Sequence, residues 1–252
     1  MAEKEKNKVF ALLGKNISYS FSRSYFTEKF DLLGLNNHSY VNFDIQSIDE
    51  FPPLFEKYKE VVCGMNVTIP YKEEIFQYLD KVDKKAKKIG AVNTITITKK
   101  GKLKGFNTDY YGFKKSLKPL LKPHHKKALI LGTGGASKAV AYALKKLNIE
   151  FLFVSRNPRQ ENEISYQKIN EALLKEYTIL INCTPLGTHP NIEQSPNIPY
   201  KFLNENHLLY DLIYNPSITT FLQKGLDKDA TIKNGLEMLE LQAEKAWKIW
   251  NK

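Results

Sequence analysis

A glycine-rich loop set between two apolar strands, with a helix directly behind it, constrains this chain more than any other stretch. In residues 127–155, KALILGTGGASKAVAYALKKLNIEFLFVS, Ala128 to Leu131 read as a short buried strand and Gly132-Thr133-Gly134-Gly135-Ala136-Ser137 as a tight loop. Lys138 to Leu147 read as a helix and Phe151 to Val154 as a second buried strand. Two strands joined by a helix make a βαβ unit, and that unit requires a parallel sheet. Gly132 allows a sharp turn, and Gly134 lets the pyrophosphate of a dinucleotide approach the backbone. The phosphates then face the free N–H groups of the helix that starts near Ala136. Ser137 fills the third position of the fingerprint, which asks for a small residue.

The end of the second strand selects the dinucleotide. A site for NAD wants an Asp or Glu there to bind the ribose 2′-hydroxyl, whereas NADP excludes that carboxylate and favours Arg. The chain offers Ser155-Arg156-Asn157-Pro158-Arg159. Only three of its 38 basic residues are Arg, so two at this one turn point to a planar partner for phosphate. NADP is therefore the expected cofactor.

Composition narrows the class. The 252 residues suffice for one large or two modest domains. No apolar run approaches the roughly 18 residues of a membrane span, and the first six residues, MAEKEK, lack the apolar segment of a signal peptide. A cytoplasmic protein without membrane contact is expected. Cys63 and Cys183 lack CxxC spacing and read as reduced core thiols. The formal charge of +11 raises nucleic-acid binding, yet the lysines fall in short scattered groups without interleaved aromatic residues. A solvated basic surface is the simpler reading, and no nucleic-acid partner is expected. The five His show no metal-ligand spacing, so no metal is expected.

Along the chain, Val9 to Leu13 read as the first buried strand, and Gly14 to Ser24 as a polar loop entering a helix with Phe26, Phe30 and Leu33 on one face. Tyr40 to Phe43 is a second strand. The run Asn66-Val67-Thr68-Ile69-Pro70-Tyr71-Lys72 ends a strand at a proline and hands over to a helix from about Glu73, which leaves Lys72 at a strand-to-helix junction, where α/β proteins place ligands. Ala91 to Thr98 is a β-branched strand turned back at Gly101, and Asp109 reads as the N-cap of a helix from Tyr110 to Leu121. Thr178 to Asn182 and Leu208 to Ile213 are further strands, with a short helix over Thr219 to Gly225. Gly132, Thr184 and Tyr214 should therefore gather on one sheet edge. Gly235 to Trp250 is an amphipathic helix whose apolar side Gln242 interrupts.

Taken in order, these motifs resemble the shikimate dehydrogenase family. The likeness runs from about Val9 to Trp250 and rests on Ser20-Phe21-Ser22, Asn66 to Lys72, Gly90-Ala91-Val92-Asn93-Thr94, Asn107-Thr108-Asp109, Gly132 to Ser137, Asn182 to Gly187, Tyr214-Asn215-Pro216 and Gly235 with Gln242. The resemblance implies an α/β protein with a Rossmann-like NADP-binding domain over 107–236. It also implies an α/β substrate domain over 1–106, completed by the C-terminal helix at 237–252. It implies reversible NADPH-dependent reduction of 3-dehydroshikimate to shikimate in aromatic amino-acid biosynthesis, by a monomer or homodimer. By position, Ser20, Ser22, Thr68, Lys72, Asn93, Asp109, Tyr214 and Gln242 would hold the substrate. Gly132, Thr133, Gly134, Gly135, Ala136, Ser155, Arg156, Asn157, Arg159, Leu212 and Gly235 would line the cofactor. The chain departs from the family in carrying Tyr19 and Arg23 where a His and a Pro usually flank the paired serines. Ser155-Arg156-Asn157 stands for the usual Asn-Arg-Thr, with Arg159 earlier than the family places it.

Ketone reduction needs a proton donor at the oxygen where negative charge accumulates, and Lys72 with Asp109 supplies a polar pair for that role. Sequence leaves open which of the two transfers the proton. It also leaves open a quinate/shikimate dehydrogenase of broader substrate or cofactor use, and a non-catalytic relative that senses a metabolite.

Overall fold

The computed structural model describes residues 7–18 and 20–252, so Tyr19 and the N-terminal segment MAEKEK lie outside the described residues. The chain divides into two compact units. One runs to Thr108 and includes Ala243–Lys252, and the other is Asp109–Gln242.

The first unit carries β1 (Lys8–Gly14), α1 (Phe21–Leu32), β2 (His38–Asp44), α2 (Phe51–Tyr58), β3 (Val62–Val67), β4 (Lys81–Val82), α3 (Lys84–Ile89), β5 (Thr94–Ile97) and β6 (Leu103–Phe106). Its six-stranded sheet has the order β2-β1-β3-β5-β6-β4. The pairs β1/β2 and β1/β3 are parallel, whereas β5 runs antiparallel to β3 and to β6, and Gly101, at φ +71°, turns the chain straight back from β5 into β6. Alternation along β1 sends Ala11 and Leu13 into a core with Phe51 and Tyr71, and sends Phe10 and Leu12 against Phe26 and Phe30 of α1. Ala243, Trp247 and Trp250 join this second cluster, where the Trp250 indole N–H donates to the Ile95 carbonyl at 2.9 Å.

Two expectations fail in this unit. Leu33 is 53% exposed, because α1 stops at Leu32 and the chain turns through Gly34 at φ +65°. The segment after Lys72 is a 3₁₀ helix, Glu74–Tyr78, in which Leu79 N–H bonds the Phe76 carbonyl at 3.2 Å. Burial of Tyr71 and Ile75 anchors it, and β4 follows too soon for an α-helix to develop.

The second unit carries α4 (Asp109–Leu117), β7 (Lys127–Leu131), α5 (Gly135–Lys145), β8 (Glu150–Ser155), β9 (Glu163–Ser165), α6 (Glu171–Glu176), β10 (Ile179–Asn182), β11 (Leu208–Asp211), α7 (Thr220–Leu226), β12 (Thr231–Lys233) and the start of α8 (Leu236–Trp250). Its sheet, β12-β11-β10-β7-β8-β9, is parallel at every pairing. Counted from β7, that is the doubly wound dinucleotide-binding order, with its switch point between β7 and β10. Ala128 and Ile130 face a core with Phe113, Val140 and Leu144, while Leu129 and Leu131 face Leu174, Phe221 and Leu222, so helices cover both faces.

Here too the boundaries move. Asp109 is the first residue of α4 rather than a residue outside it, and α4 ends at Leu117 because Pro119 has no N–H to continue the ladder. Helix α5 begins at Gly135, three residues before the expected Lys138. Both cysteines are free and half-buried rather than fully within the cores. His125 and His207 are buried: each takes a backbone N–H on Nδ1 and gives its Nε2–H to a carbonyl, Asn206 at 3.2 Å and Leu174 at 3.0 Å respectively. Among the described residues no helix is long and apolar enough to cross a membrane.

Candidate active site

In the first unit the residues assigned to the substrate stand at the ends and edges of β1, β3 and β5. Ser20 caps α1, its hydroxyl accepting the Arg23 N–H at 3.4 Å, and Arg23 itself is exposed. Ser22 is buried in the first turn. The loop before them is tied down from β2: the Asp44 carboxylate takes the N–H groups of Asn16 at 2.8 Å and Ile17 at 3.1 Å, and Asn42 Nδ2 donates to the Ile17 carbonyl at 2.8 Å.

Thr68 and Lys72 follow β3 and are half-buried. Their turn is held from three sides. Thr68 N–H reaches the Leu13 carbonyl at 2.9 Å, Tyr71 Oη donates to the Ile45 carbonyl at 2.8 Å, and Val92 N–H donates to the Lys72 carbonyl at 2.8 Å. Asn93 is 3% exposed, and its Oδ1 accepts the Thr108 N–H at 2.6 Å while its Nδ2 donates to Thr108 Oγ1 at 3.0 Å. The strand expected from Ala91 narrows to Thr94–Ile97 because these preceding residues bond to Lys72 and to the end of β6 rather than to one ladder.

In the second unit the loop after β7 is shorter than expected, since α5 takes up its last three residues from Gly135. Gly132 sits at φ +99°, and a Cβ there would stand 3.0 Å from the Thr184 methyl, so β7 and β10 end against each other at the switch point. Around Gly134 and Gly135 a Cβ would meet nothing within 4 Å, and no side chain caps α5. The backbone is therefore uncovered on the side a Cβ would occupy, which suits the close approach of a pyrophosphate. Ser137 turns inward, its hydroxyl donating to the Gly134 carbonyl at 2.6 Å. Gly132 N–H bonds the Val154 carbonyl at 2.9 Å, which sets Ser155-Arg156 beside the glycine loop.

Arg156, Asn157 and Arg159 are exposed. Among the described residues no carboxylate pairs with either guanidinium, and the nearby acid, Glu163, accepts the Arg159 backbone N–H at 2.7 Å. Burial pushes the Tyr166 phenol up, and the Arg156 charge opposes that push. A serine where a carboxylate would be, with two unpaired guanidinium groups, fits a 2′-phosphate.

Leu212 and Gly235 come together: a Cβ on Gly235 would lie 2.1 Å from the Leu212 carbonyl oxygen, so only glycine fits. Tyr214 is half-buried two residues further on, and burial pushes its phenol up. Helix α4, which Asp109 opens, packs bare backbone at Gly112 against Met238 and Gln242 of α8. Asp109 and Gln242 are both buried, and Gln242 Nε2 donates to the Leu239 carbonyl at 3.0 Å.

The strand pattern gave no reason to single out Asp211. It ends β11 fully buried, and its carboxylate accepts from Asn182 Nδ2 at 3.1 Å, Ile213 N–H at 3.0 Å and the Thr219 hydroxyl at 2.6 Å. Thr184 joins through Asn182 Oδ1 at 2.6 Å, so one carboxylate organises the ends of β10 and β11. The available signal was a polar residue closing each of two apolar strands.

Burial still pushes Asp211 up to about 6, against the pull of its three donors. A carboxyl held above its ordinary ~3.9 binds a proton more tightly folded than unfolded, so its contribution to stability falls as pH rises from about 4 to 6. His125 and His207 act in the opposite sense. Burial lowers both, they stay neutral when folded, and stability is lost as pH falls below ~6.5. Asp211→Asn should therefore stabilise the protein at neutral pH by about 1–3 kcal/mol and remove the decline across the acid window. Denaturant unfolding at a series of pH values checks this, and a variant with the wild-type profile would refute it.

Comparison with known proteins bears on these two units. A family model described as the shikimate dehydrogenase substrate binding domain matches residues 12–95. A shikimate dehydrogenase (NADP(+)) of Clostridium botulinum is 39% identical over 251 residues, covering 95% of this chain and 95% of the relative. The chain belongs to the shikimate dehydrogenase family. The crystal structure of shikimate dehydrogenase from Aquifex aeolicus superimposes with a TM-score of 0.86 at 34% identity, covering 98% of this chain and 94% of that one. The enzyme from Thermus thermophilus, solved in complex with NADP(H) and shikimate, gives a TM-score of 0.85 at 32% identity, covering 96% and 93%. Family membership accounts for the joint order of motifs across both units, which the glycine loop alone does not.

Proposed function

We propose that this chain catalyses the reversible NADPH-dependent reduction of 3-dehydroshikimate to shikimate in aromatic amino-acid biosynthesis, in the cytoplasm, as a monomer or homodimer. The observation that carries this reading is 39% identity to a shikimate dehydrogenase (NADP(+)) across 95% of both chains. The open glycine loop and the paired arginines after β8 support NADP as the cofactor. The unit ending at Thr108, with the C-terminal residues, is the substrate domain in this reading, and Asp109–Gln242 is the NADP domain.

Ser20 and Ser22 receive the ring carboxylate, and Thr68, Asn93, Tyr214 and Gln242 the ring hydroxyls. Gly132 to Ala136 hold the pyrophosphate through backbone N–H groups, Ser155 to Arg159 hold the ribose phosphate, and Leu212 and Gly235 line the rest of the cofactor. When bound, NADPH supplies the hydride. Lys72 and Asp109 are the acid/base pair in this reading: the ammonium stabilises or protonates the oxygen that gains charge, and the carboxylate accepts a hydrogen bond from a neighbouring substrate hydroxyl.

The test is 3-dehydroshikimate-dependent loss of NADPH absorbance with purified protein, with NADH and quinate as comparisons. Turnover with NADPH and dehydroshikimate is expected. No turnover would overturn the assignment, and equal rates with quinate would widen it to the broader enzyme.

A further inference from the structure

The parallel ladder between β1 and β2 ends at the pair Gly14 and Asp44, and the Asp44 side chain carries it further. Its Oδ1 accepts the Asn16 N–H at 2.8 Å and its Oδ2 the Ile17 N–H at 3.1 Å, so each oxygen takes one backbone donor. From the same strand, Asn42 Nδ2 donates to the Ile17 carbonyl at 2.8 Å. Both main-chain groups of Ile17 are therefore held by β2. Its side chain is buried in the cluster with Phe10 and Phe26, and it crowds Gly14: a Cβ on Gly14 would stand 2.6 Å from Ile17 Cγ2 and 2.5 Å from Thr68 Cγ2.

Asn16 sits at φ +55°, in the left-handed region that a residue with a side chain keeps only where its surroundings enforce it. The carboxylate on its N–H supplies that enforcement. The pattern also demands a carboxylate: an amide has one oxygen, so in that place it would turn its NH₂ toward one of the two N–H donors. Ile17 stands three residues before Ser20, whose hydroxyl caps α1, and five before Ser22 in the first turn of that helix. A loop released at Ile17 would have to be ordered by the substrate itself, at a cost in affinity.

We propose that Asp44 and Asn42 are positioning residues for substrate binding. They fix Ile17, and so hold the serine loop ready for the substrate carboxylate before the substrate arrives. The entropy of ordering that loop is then lost in folding and not in binding. The inference rests on the assignment of Ser20 and Ser22 to the substrate carboxylate.

Asp44→Asn keeps the shape of the side chain and turns one acceptor into a donor. The KM for shikimate should rise about 3- to 10-fold, the worth of one charge-assisted hydrogen bond at an exposed position and of the loop order it secures. The kcat should stay within about twofold and the KM for NADP should not change, because the loop acts in binding the carboxylate and not in the transfer of hydride. In a Ser20→Ala, Ser22→Ala background, Asp44→Asn should add less than about twofold. If Asp44→Asn does not fold, Asn42→Ala releases Ile17 from the other side. That variant also removes a buried oxygen, Asn42 Oδ1, that has no partner among the described residues, so KM should rise in the same way with little change in melting temperature. An unchanged KM, a fall in kcat at constant KM, or the same fold increase over the alanine background overturns the positioning role while leaving the shikimate assignment standing. Wild-type protein that does not turn over shikimate overturns both.

Discussion

Lys72→Ala should lower kcat by about 10²–10⁴ while moving the KM for shikimate far less, the pattern of an interaction made in the transition state. The expectation follows from the charge that develops on the carbonyl oxygen as hydride adds to carbon. A group that donates a proton or a hydrogen bond to that oxygen matters most when the charge is greatest. The substitution should not disturb the fold. The turn is fixed by the Lys72 carbonyl, which accepts from Val92, and by buried Tyr71 beside it, both of which Ala retains. Steady-state kinetics in both directions, with cofactor binding as a control for folding, makes the measurement. A rise in KM at constant kcat would reduce Lys72 to an anchor. Asp109→Asn, near in shape but without charge, should also lower kcat, and the ratio of the two effects would assign the proton.

Arg156→Ala should weaken NADP by about 10- to 100-fold and leave NAD nearly unchanged. Hydrogen bonds between a guanidinium and a phosphate are worth roughly 1.5–3 kcal/mol, and that range converts to this loss. The exposed position makes the effect depend on salt, shrinking as ionic strength screens the pair. Arg159→Ala should cost less, because the Glu163 carboxylate bonded to its backbone puts a negative charge nearby. Dissociation constants for both dinucleotides at two salt concentrations would decide it. An unchanged ratio of NADP to NAD affinity would remove Arg156 from the cofactor's ribose.

The βαβ core was legible because it is built from local rules. Ala128 to Leu131 and Phe151 to Val154 are apolar runs too short for helices, and the intervening glycines leave one way to turn. The structure extends both strands by a residue or two and starts the helix at Gly135, which leaves the turn at Gly132 in place and shortens the loop. The 3₁₀ helix after Lys72 was not legible, since the pattern of Tyr71 and Ile75 suits an α-helix equally well and only the early start of β4 decides between them. Leu33 misled for a similar reason: its spacing from Phe26 and Phe30 continues a helical face, but the helix ends one residue short of it.

What the sequence determined by itself was chemistry of position: a glycine loop after a strand, arginines where an acid would select NAD, and ordered motifs that mark the family. These are short-range facts, carried by which backbone conformations and charges each residue type permits. Tertiary structure alone decided which buried polar groups satisfy one another. Asp211 meets Asn182 across 29 positions of chain and Thr219 across 8, and Tyr40 meets Asn66 across 26. A buried hydroxyl or carboxylate must find a partner, but nothing local says which. That choice falls to whatever the packed sheets bring within about 3 Å.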